Sequence, residues 1–294
     1  MIVTKEKSLS NANIATITEQ FILVNSLEFL KALRKVVNAT AGKKSPYPVL
    51  QYVHVRIESD CLIIEACDSL VLDLLTVSAS VEPELIGKDF LISKSFVKSL
   101  VKAPHKFGSR LSIRPSFNAN YYTGKLVVIA NGNEFIDHID DPKINNLNYP
   151  KLDDVIPRTM SKTLTMEIGA EDLLSVLKEQ EKDFKGQRGM RPIRIGIKGK
   201  QAYLITKDHR AGLFPVEIAP KNAHIDIDDQ KMANKVGLDF FIDVDLKKLI
   251  KELKYLNKHD SLLFSFEGTL RPLKIINQRT DGVSIIVPIR TFAN

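Results

Sequence analysis

One pattern occurs four times along this chain: a short apolar strand, an amphipathic helix, then three further strands. The first copy runs EQFILVN, SLEFLKALRKVVNAT, QYVHVRIESD, CLIIEACDS and LVLDLLTVSASV, and the others begin at DFLIS, LTMEIGA and LDFFIDV. Their helices start near Ser26, Lys94, Glu171 and Asp245, so successive copies lie 68, 77 and 74 residues apart. Solenoids repeat every ~20–50 residues. The longer period here describes a β-α-β-β-β unit. The helices rest on apolar recurrence at i, i+3, i+4 and i+7, as in Leu246, Leu249, Ile250 and Leu253. The strands rest on alternation, as in Val53, Val55 and Ile57, with turn residues between them.

Two units make one domain, so 294 residues hold two. The pattern divides the chain into a flexible tail at 1–18, a first domain at 19–148, a linker at 149–160 within a Pro- and Asn-rich stretch, and a second domain at 161–294. With 44% hydrophobic and 26% charged residues, both domains have material for a core. No stretch approaches the ~18 apolar residues of a membrane span, and the polar start lacks a signal-peptide core. A cytoplasmic protein without a membrane partner is expected. Cys61 and Cys67 show neither CxxC spacing nor a second pair, which argues against a disulfide framework and a zinc site.

The net charge of +7 is unevenly spread. Segments 26–44 and 94–106 each carry +4 and 245–258 carries +3, whereas 171–191 is neutral. The helix segments together exceed the whole-chain charge, so the remainder is net acidic. Lys94, Lys98 and Lys102 follow a four-residue step, and Lys247, Lys251, Lys254 and Lys258 a 4-3-4 step. Each set therefore lies along one side of its helix, where like-charged neighbours cost about 0.2–0.5 kcal/mol per pair. A solvated surface accounts for one such helix. Three of four equivalent helices sharing it favour a polyanion that follows the stripes. Lysine suits sequence-blind phosphate contact. Nothing reads bases: there is no recognition-helix motif, zinc finger, aromatic platform or Trp.

Catalysis is poorly supported. Acidic clusters at 137–141, 152–154 and 224–230 fall in strand ends and connections, where Asp serves turns. The histidines at 54, 105, 138, 209, 224 and 259 form no HxH or HxxxH pair, and Asp208–His209–Arg210 is an isolated triplet. No P-loop, nucleophile elbow or dinucleotide motif stands in its proper context. No catalytic residue, metal or cofactor is expected.

Five short segments carry a resemblance: GKKSPYPVL at 42–50, CDSLVLDL at 67–74, NYPKLDDVIP at 148–157, RGMRPIRI at 188–195 and VPIRT at 287–291. In that order they resemble segments of the bacterial DNA polymerase III beta sliding clamp family. The counterparts are a Gly/Arg-rich loop before Leu-Pro-Ile-Leu, a Thr-Asp-Gly-His-Arg-Leu segment, a Phe-Pro-x-Tyr…Val-Leu-Pro linker, an Arg-Gly-Val-Arg-Leu strand entry and a terminal Met-Pro-Met-Arg-Leu. The resemblance covers nearly everything after residue 18. It implies an α+β DNA-clamp fold, with four β-α-β-β-β half-units forming two domains, helices on the inner face and sheets outside. It also implies a non-enzymatic processivity factor. Such a ring encircles double-stranded DNA without sequence preference and tethers a DNA polymerase and other replication proteins through a short peptide motif. Family chains have three domains and close six into a ring. A divergent two-domain version, of phage or plasmid type, would need three subunits, a homotrimer.

Two residue sets follow from the resemblance. The partner-peptide pocket takes Leu72, Pro150, Val155, Val287, Pro288, Ile289 and Arg290. Ser69, Leu70 and Val71 replace the family's Gly-His-Arg, and Asp154 stands where Arg is frequent. The DNA-facing set is Lys31, Arg34, Lys35, Lys43, Lys44, Lys98, Lys102, Lys182, Arg188, Lys247, Lys251, Lys254 and Lys258, with Lys43 and Lys44 following Gly42 where the family places a basic DNA contact. The competing readings are ordinary core and linker residues for the pocket, and a solvated surface for the lysines. At the level of function they are a clamp-like DNA-binding accessory that forms no ring, or a metal-dependent nuclease.

Overall fold

The computed structural model describes residues 20–102, 104–116, 124–144, 147–154, 156, 164–186, 189–199, 201–206, 210–215, 231, 233–254, 256–280 and 282–289. The expected tail at 1–18 lies outside them, as does the whole of the acidic segment 224–230. The first unit comprises β1 (Ile22–Asn25), α1 (Ser26–Val36), β2 (Tyr52–Ile57), β3 (Cys61–Cys67) and β4 (Val71–Val81). The second comprises β5 (Asp89–Ser93), α2 (Lys94–Lys102), β6 (Arg110–Pro115), β7 (Gly124–Ala130) and β8 (Asn133–Ile139). The third comprises β9 (Leu164–Gly169), α3 (Ala170–Gln180), β10 (Pro192–Lys198), β11 (Gln201–Ile205) and β12 (Arg210–Pro215). The fourth comprises β13 (Phe240–Asp245), α4 (Leu246–Leu253), β14 (Ser261–Phe266), β15 (Leu273–Asn277) and β16 (Gly282–Ile286). The fourfold β-α-β-β-β pattern is the architecture.

Each helix begins where its leading strand ends, and the last strand residue is the cap. Asn25 Oδ1 accepts the Glu28 amide at 3.1 Å, Ser93 Oγ that of Phe96 at 3.2 Å, and Asp245 Oδ1 that of Lys247 at 2.8 Å. Each side chain satisfies an orphan first-turn donor, a contribution of about 1 kcal/mol. At α3 the cap is Gly169, and Glu171 and Asp172 supply first-turn acids that suit the helix dipole.

The units exchange their leading strands. β1 bridges the two units, pairing with β4 of its own unit on one edge and with β6 on the other, and β5 pairs with β2. The same swap recurs later: β9 pairs with β14, and β13 with β10. Two units therefore interlock into one lobe. One apolar core draws on residues from Ile22 to Ala130, the other on residues from Leu164 to Ile286. Helices pack on one side of the sheets, α1 against α2 and α3 against α4.

Among the described residues the lobes are joined by one strand pair. β16 runs antiparallel to β4, with Ser284 opposite Asp73 and Ile285 opposite Leu72. Because side chains alternate along a strand, this pair presents Asp73 and Ser284 to the helix side and Leu72 and Ile285 to the opposite face.

Candidate nucleic-acid and peptide interfaces

On the helix side, Lys31 and Arg34 of α1, Lys98 and Lys102 of α2, and Lys247 and Lys254 around α4 are exposed. A groove of about 290 Å³ between α1 and α4 is lined by Lys31, Arg34 and Lys254, so the basic surface crosses from one lobe to the other. Crowding of cations is felt there. Burial, then the charges of Lys251 and Lys98, lower the Lys94 pKa. Lys251 is lowered by burial and by Lys248. Such a surface gains by meeting an anion that relieves the repulsion.

Beneath it lies an ionic knot between the lobes. The Lys35 ammonium donates to Asp73 Oδ1 at 2.7 Å and to Ser284 Oγ at 2.6 Å, and lies 3.5 Å from Glu252. Burial opposes the Lys35 charge, but the carboxylates of Asp73 and Glu252 outweigh it and raise the pKa. Glu252 is raised well above the ordinary carboxyl value by burial and then by Asp73, against the pull of Lys35. Lys248 donates to Asp68, and Lys251 to the Asn38 carbonyl, which adds two further links across the joint.

On the opposite face of the same joint is an apolar cavity of about 520 Å³. Leu72 and Ile285 lie across β4–β16, Pro46 to Leu50 form one wall, and Leu147, Asn148, Pro150 and Leu152 another. Four large apolar side chains at its rim are open to solvent: Tyr47 (60%), Leu70 (47%), Leu147 (39%) and Val287 (36%). Ser69 holds a left-handed backbone, φ 74°, uncommon for a residue with a Cβ. Asp68 Oδ1 locks this turn by accepting the Leu70 and Val71 amides at 3.0 and 2.9 Å, and the turn sets Leu70 on the rim.

No family model matches the sequence, and neither does any curated protein. Solved structures do. The DNA polymerase III beta subunit of Thermotoga maritima superposes with a TM-score of 0.71 at 17% identity, over 93% of this chain and 66% of its own. The DNA polymerase sliding clamp of Bacillus subtilis gives 0.71 at 18% identity, over 94% and 66%. A putative beta subunit from Eubacterium rectale gives 0.72 at 13%, over 92% and 66%. This chain has the sliding-clamp fold. It spans about 66% of the length of these clamps.

The clamp fold brings some of the expected residues together and separates others. Leu72, Pro150 and Val287 line the cavity. Pro288 and Ile289 do not: after Val287 donates to the Leu70 carbonyl, the chain turns away and the Ile289 amide bonds the Asp243 carbonyl of β13. Val155, Arg290 and Arg188 lie outside the described residues. In the basic set, Lys43, Lys44 and Lys182 are also exposed. Lys258 is exposed but sits 3.2 Å from Glu171. Lys35 requires correction, because its side chain is only 9% exposed and its ammonium is held in the knot by Asp73 and Ser284. Lys251, half-buried, likewise donates to the Asn38 carbonyl. Tyr47, Leu147 and Ile285 were missed as cavity residues. Nothing local in the sequence ties Tyr47, between Pro46 and Pro48, to residues near 72 or 285.

The acidic segments are engaged otherwise. Asp137 accepts from the Ser93 amide and hydroxyl at 2.7 Å each, and Asp153 binds Arg56. Among the described residues no group of three His, Cys, Asp or Glu is placed to hold a metal ion. No described helix is long and apolar enough to cross a membrane.

Proposed function

We propose that this protein is a DNA sliding clamp that assembles head to tail into a three-subunit ring, encircles duplex DNA and captures polymerase peptides in the apolar cavity. The observation that carries the reading is the β4–β16 joint. It pairs the last strand of the first unit with the last strand of the fourth. The last strands of the other two units are β12 and β8, and among the described residues each pairs on one edge only, with β11 and β7. Joining β12 of one chain to β8 of the next repeats the internal joint between molecules. A heterologous contact of this kind makes a ring if the rotation closes, and it covers edge strands that invite aggregation when open. With two clamp lobes per chain, six lobes need three copies.

The helix layer supports the DNA part. Exposed lysines and arginines from α1, α2 and α4 face the same side, and contact through them releases counterions without reading sequence. The cavity supports the partner part, since a flexible peptide recovers its ordering cost by burying apolar anchors, each worth roughly 1.5–3 kcal/mol. Native mass spectrometry and sedimentation at micromolar concentration test the ring. A trimer is expected, and a strict monomer both with and without DNA removes the reading.

A further inference from the structure

Alternate residues of β2 divide between its two faces. Val53, Val55 and Ile57 enter the core beside α1. Tyr52, His54 and Arg56 point the other way, and all three grip the segment that connects the lobes. Tyr52 Oη donates to Asp141 Oδ2 at 3.2 Å. The His54 ring stacks on Tyr149, with centroids 4.3 Å apart and planes at 19°. Arg56 gives Asp153 two hydrogen bonds, at 2.8 and 3.0 Å. This is the stretch that supplies Leu147, Asn148, Pro150 and Leu152 to the cavity wall.

The middle contact differs in kind. His54 is 4% exposed, and each of its ring nitrogens meets a carboxylate at 2.8 Å: Nδ1 meets Glu65 of β3, and Nε2 meets Asp89 of β5. A neutral imidazole carries one N–H. Only the doubly protonated ring satisfies both contacts, because loss of a proton turns one of them into lone pair against carboxylate.

We propose that Tyr52, His54 and Arg56 form a clip that positions the connecting segment as a wall of the cavity, and that the clip holds fully only while His54 is protonated. The proposal deepens the peptide-pocket reading and assigns His54 a positioning role with no contact to the occupant. The described groups facing His54 are Glu65, Asp89, Tyr149 and its strand neighbour Arg56, whose Nε lies 3.5 Å from Glu65. Burial alone would lower the His54 pKa, but the hydrogen bonds and charges of Asp89 and Glu65 prevail and raise it. The clip is therefore complete below the ordinary histidine range, ~6.5, and loosens as pH climbs through the raised value. Tyr52, pushed up to about 12, and Arg56, raised further, keep one charge state throughout. An imidazolium on an aromatic face also gains attraction that the neutral ring lacks.

Hydrogen exchange of the amides at 147–154, followed from pH 5.5 to 9 and corrected for intrinsic rates, tests this on the intact protein without a ligand. Protection is expected to fall with rising pH, about tenfold for each unit by which the clipped ring binds its proton more tightly than the released one. Amides of β10 serve as the control and should show no such step. His54→Gln should exchange fast at every pH, with no step, while Tyr149→Phe, which keeps the ring, should retain the step. A wild-type profile flat across the range, or a step that survives His54→Gln, overturns the clip. The wild-type profile decides even if His54→Gln fails to fold. Because no occupant is needed, failure of peptide capture would leave this result standing.

Discussion

Lys35→Met tests the reassignment of Lys35 from the DNA-facing set to the joint between the lobes. The substitution keeps most of the aliphatic stem and removes the ammonium that sits 2.7 Å from Asp73, 2.6 Å from Ser284 and 3.5 Å from Glu252. Asp73 and Glu252 have side chains 0% and 3% exposed, and Asp73 Oδ2 and Glu252 Oε1 already have no hydrogen-bond partner. Removing one member of a buried ion pair costs about 3–5 kcal/mol, mostly because a charge is left uncompensated. Lys251 stands near Glu252 and Asp73, and burial and Asp73 raise the Glu252 pKa, so the low end, about 3 kcal/mol, is expected. At about 2–4 °C per kcal/mol for a chain of this order, melting should drop by roughly 6–12 °C. The slope of log DNA affinity against log salt should stay at its wild-type value. Calorimetry and a salt titration on the same preparation decide the matter. Unchanged melting with a slope reduced by about 0.9, the loss of one phosphate contact, would refute the reasoning. Glu252 supplies the pH arm. A folded pKa above the unfolded ~4.3 means the folded state holds the extra proton, so stability is lost as pH rises from that range through the raised value. Glu252→Gln removes this loss, and its stability relative to wild type should rise with pH across the window.

The remaining predictions are independent of that knot. Replacing exposed Lys247 and Lys254 by Gln should reduce the salt slope of DNA binding by up to about 2 and leave melting unchanged; an unaltered slope would move the DNA path off α4. Leu70→Lys, on the cavity rim, should lower affinity for a polymerase-tail peptide about tenfold or more without changing the trimer, as isothermal titration can check. Ile136→Lys on β8, 42% exposed, should shift the sedimentation profile from trimer to monomer at micromolar concentration, and a stable trimer would place the contact elsewhere. Ser69→Gly should stabilise the protein by about 1 kcal/mol, seen as a small rise in melting temperature, because glycine adopts the left-handed turn without a Cβ clash.

Much of the frame was legible because its signals are local. Leu246, Leu249, Ile250 and Leu253 recur at helical spacing within eight residues, and Asn25, Ser93 and Asp245 cap helices a few positions away. The unit repeat and the basic helices needed nothing beyond such patterns. The bridging of two units by β1 and the pairing of β5 with β2 left no trace in them, since alternation specifies which face of a strand is buried and says nothing about which strand lies beside it. The cavity was half legible: Pro150 and Val287 stood out in their segments, whereas Ile285 read as an ordinary strand residue.

Lys31 and Lys35 show most clearly where the sequence stops. Both are lysines on one short basic helix, four residues apart, and nothing within α1 assigns them different roles. Asp73 lies 38 residues from Lys35 and Ser284 249 residues away, and Glu252 comes from the other lobe. Local periodicity determined that a helix forms here and which side enters its own core. Only the docking of β16 on β4, with α4 beside α1, decided which lysine meets solvent and which is sealed in a joint. The free energy of a charge depends on the groups and water around it in space, and those neighbours come from distant parts of the chain.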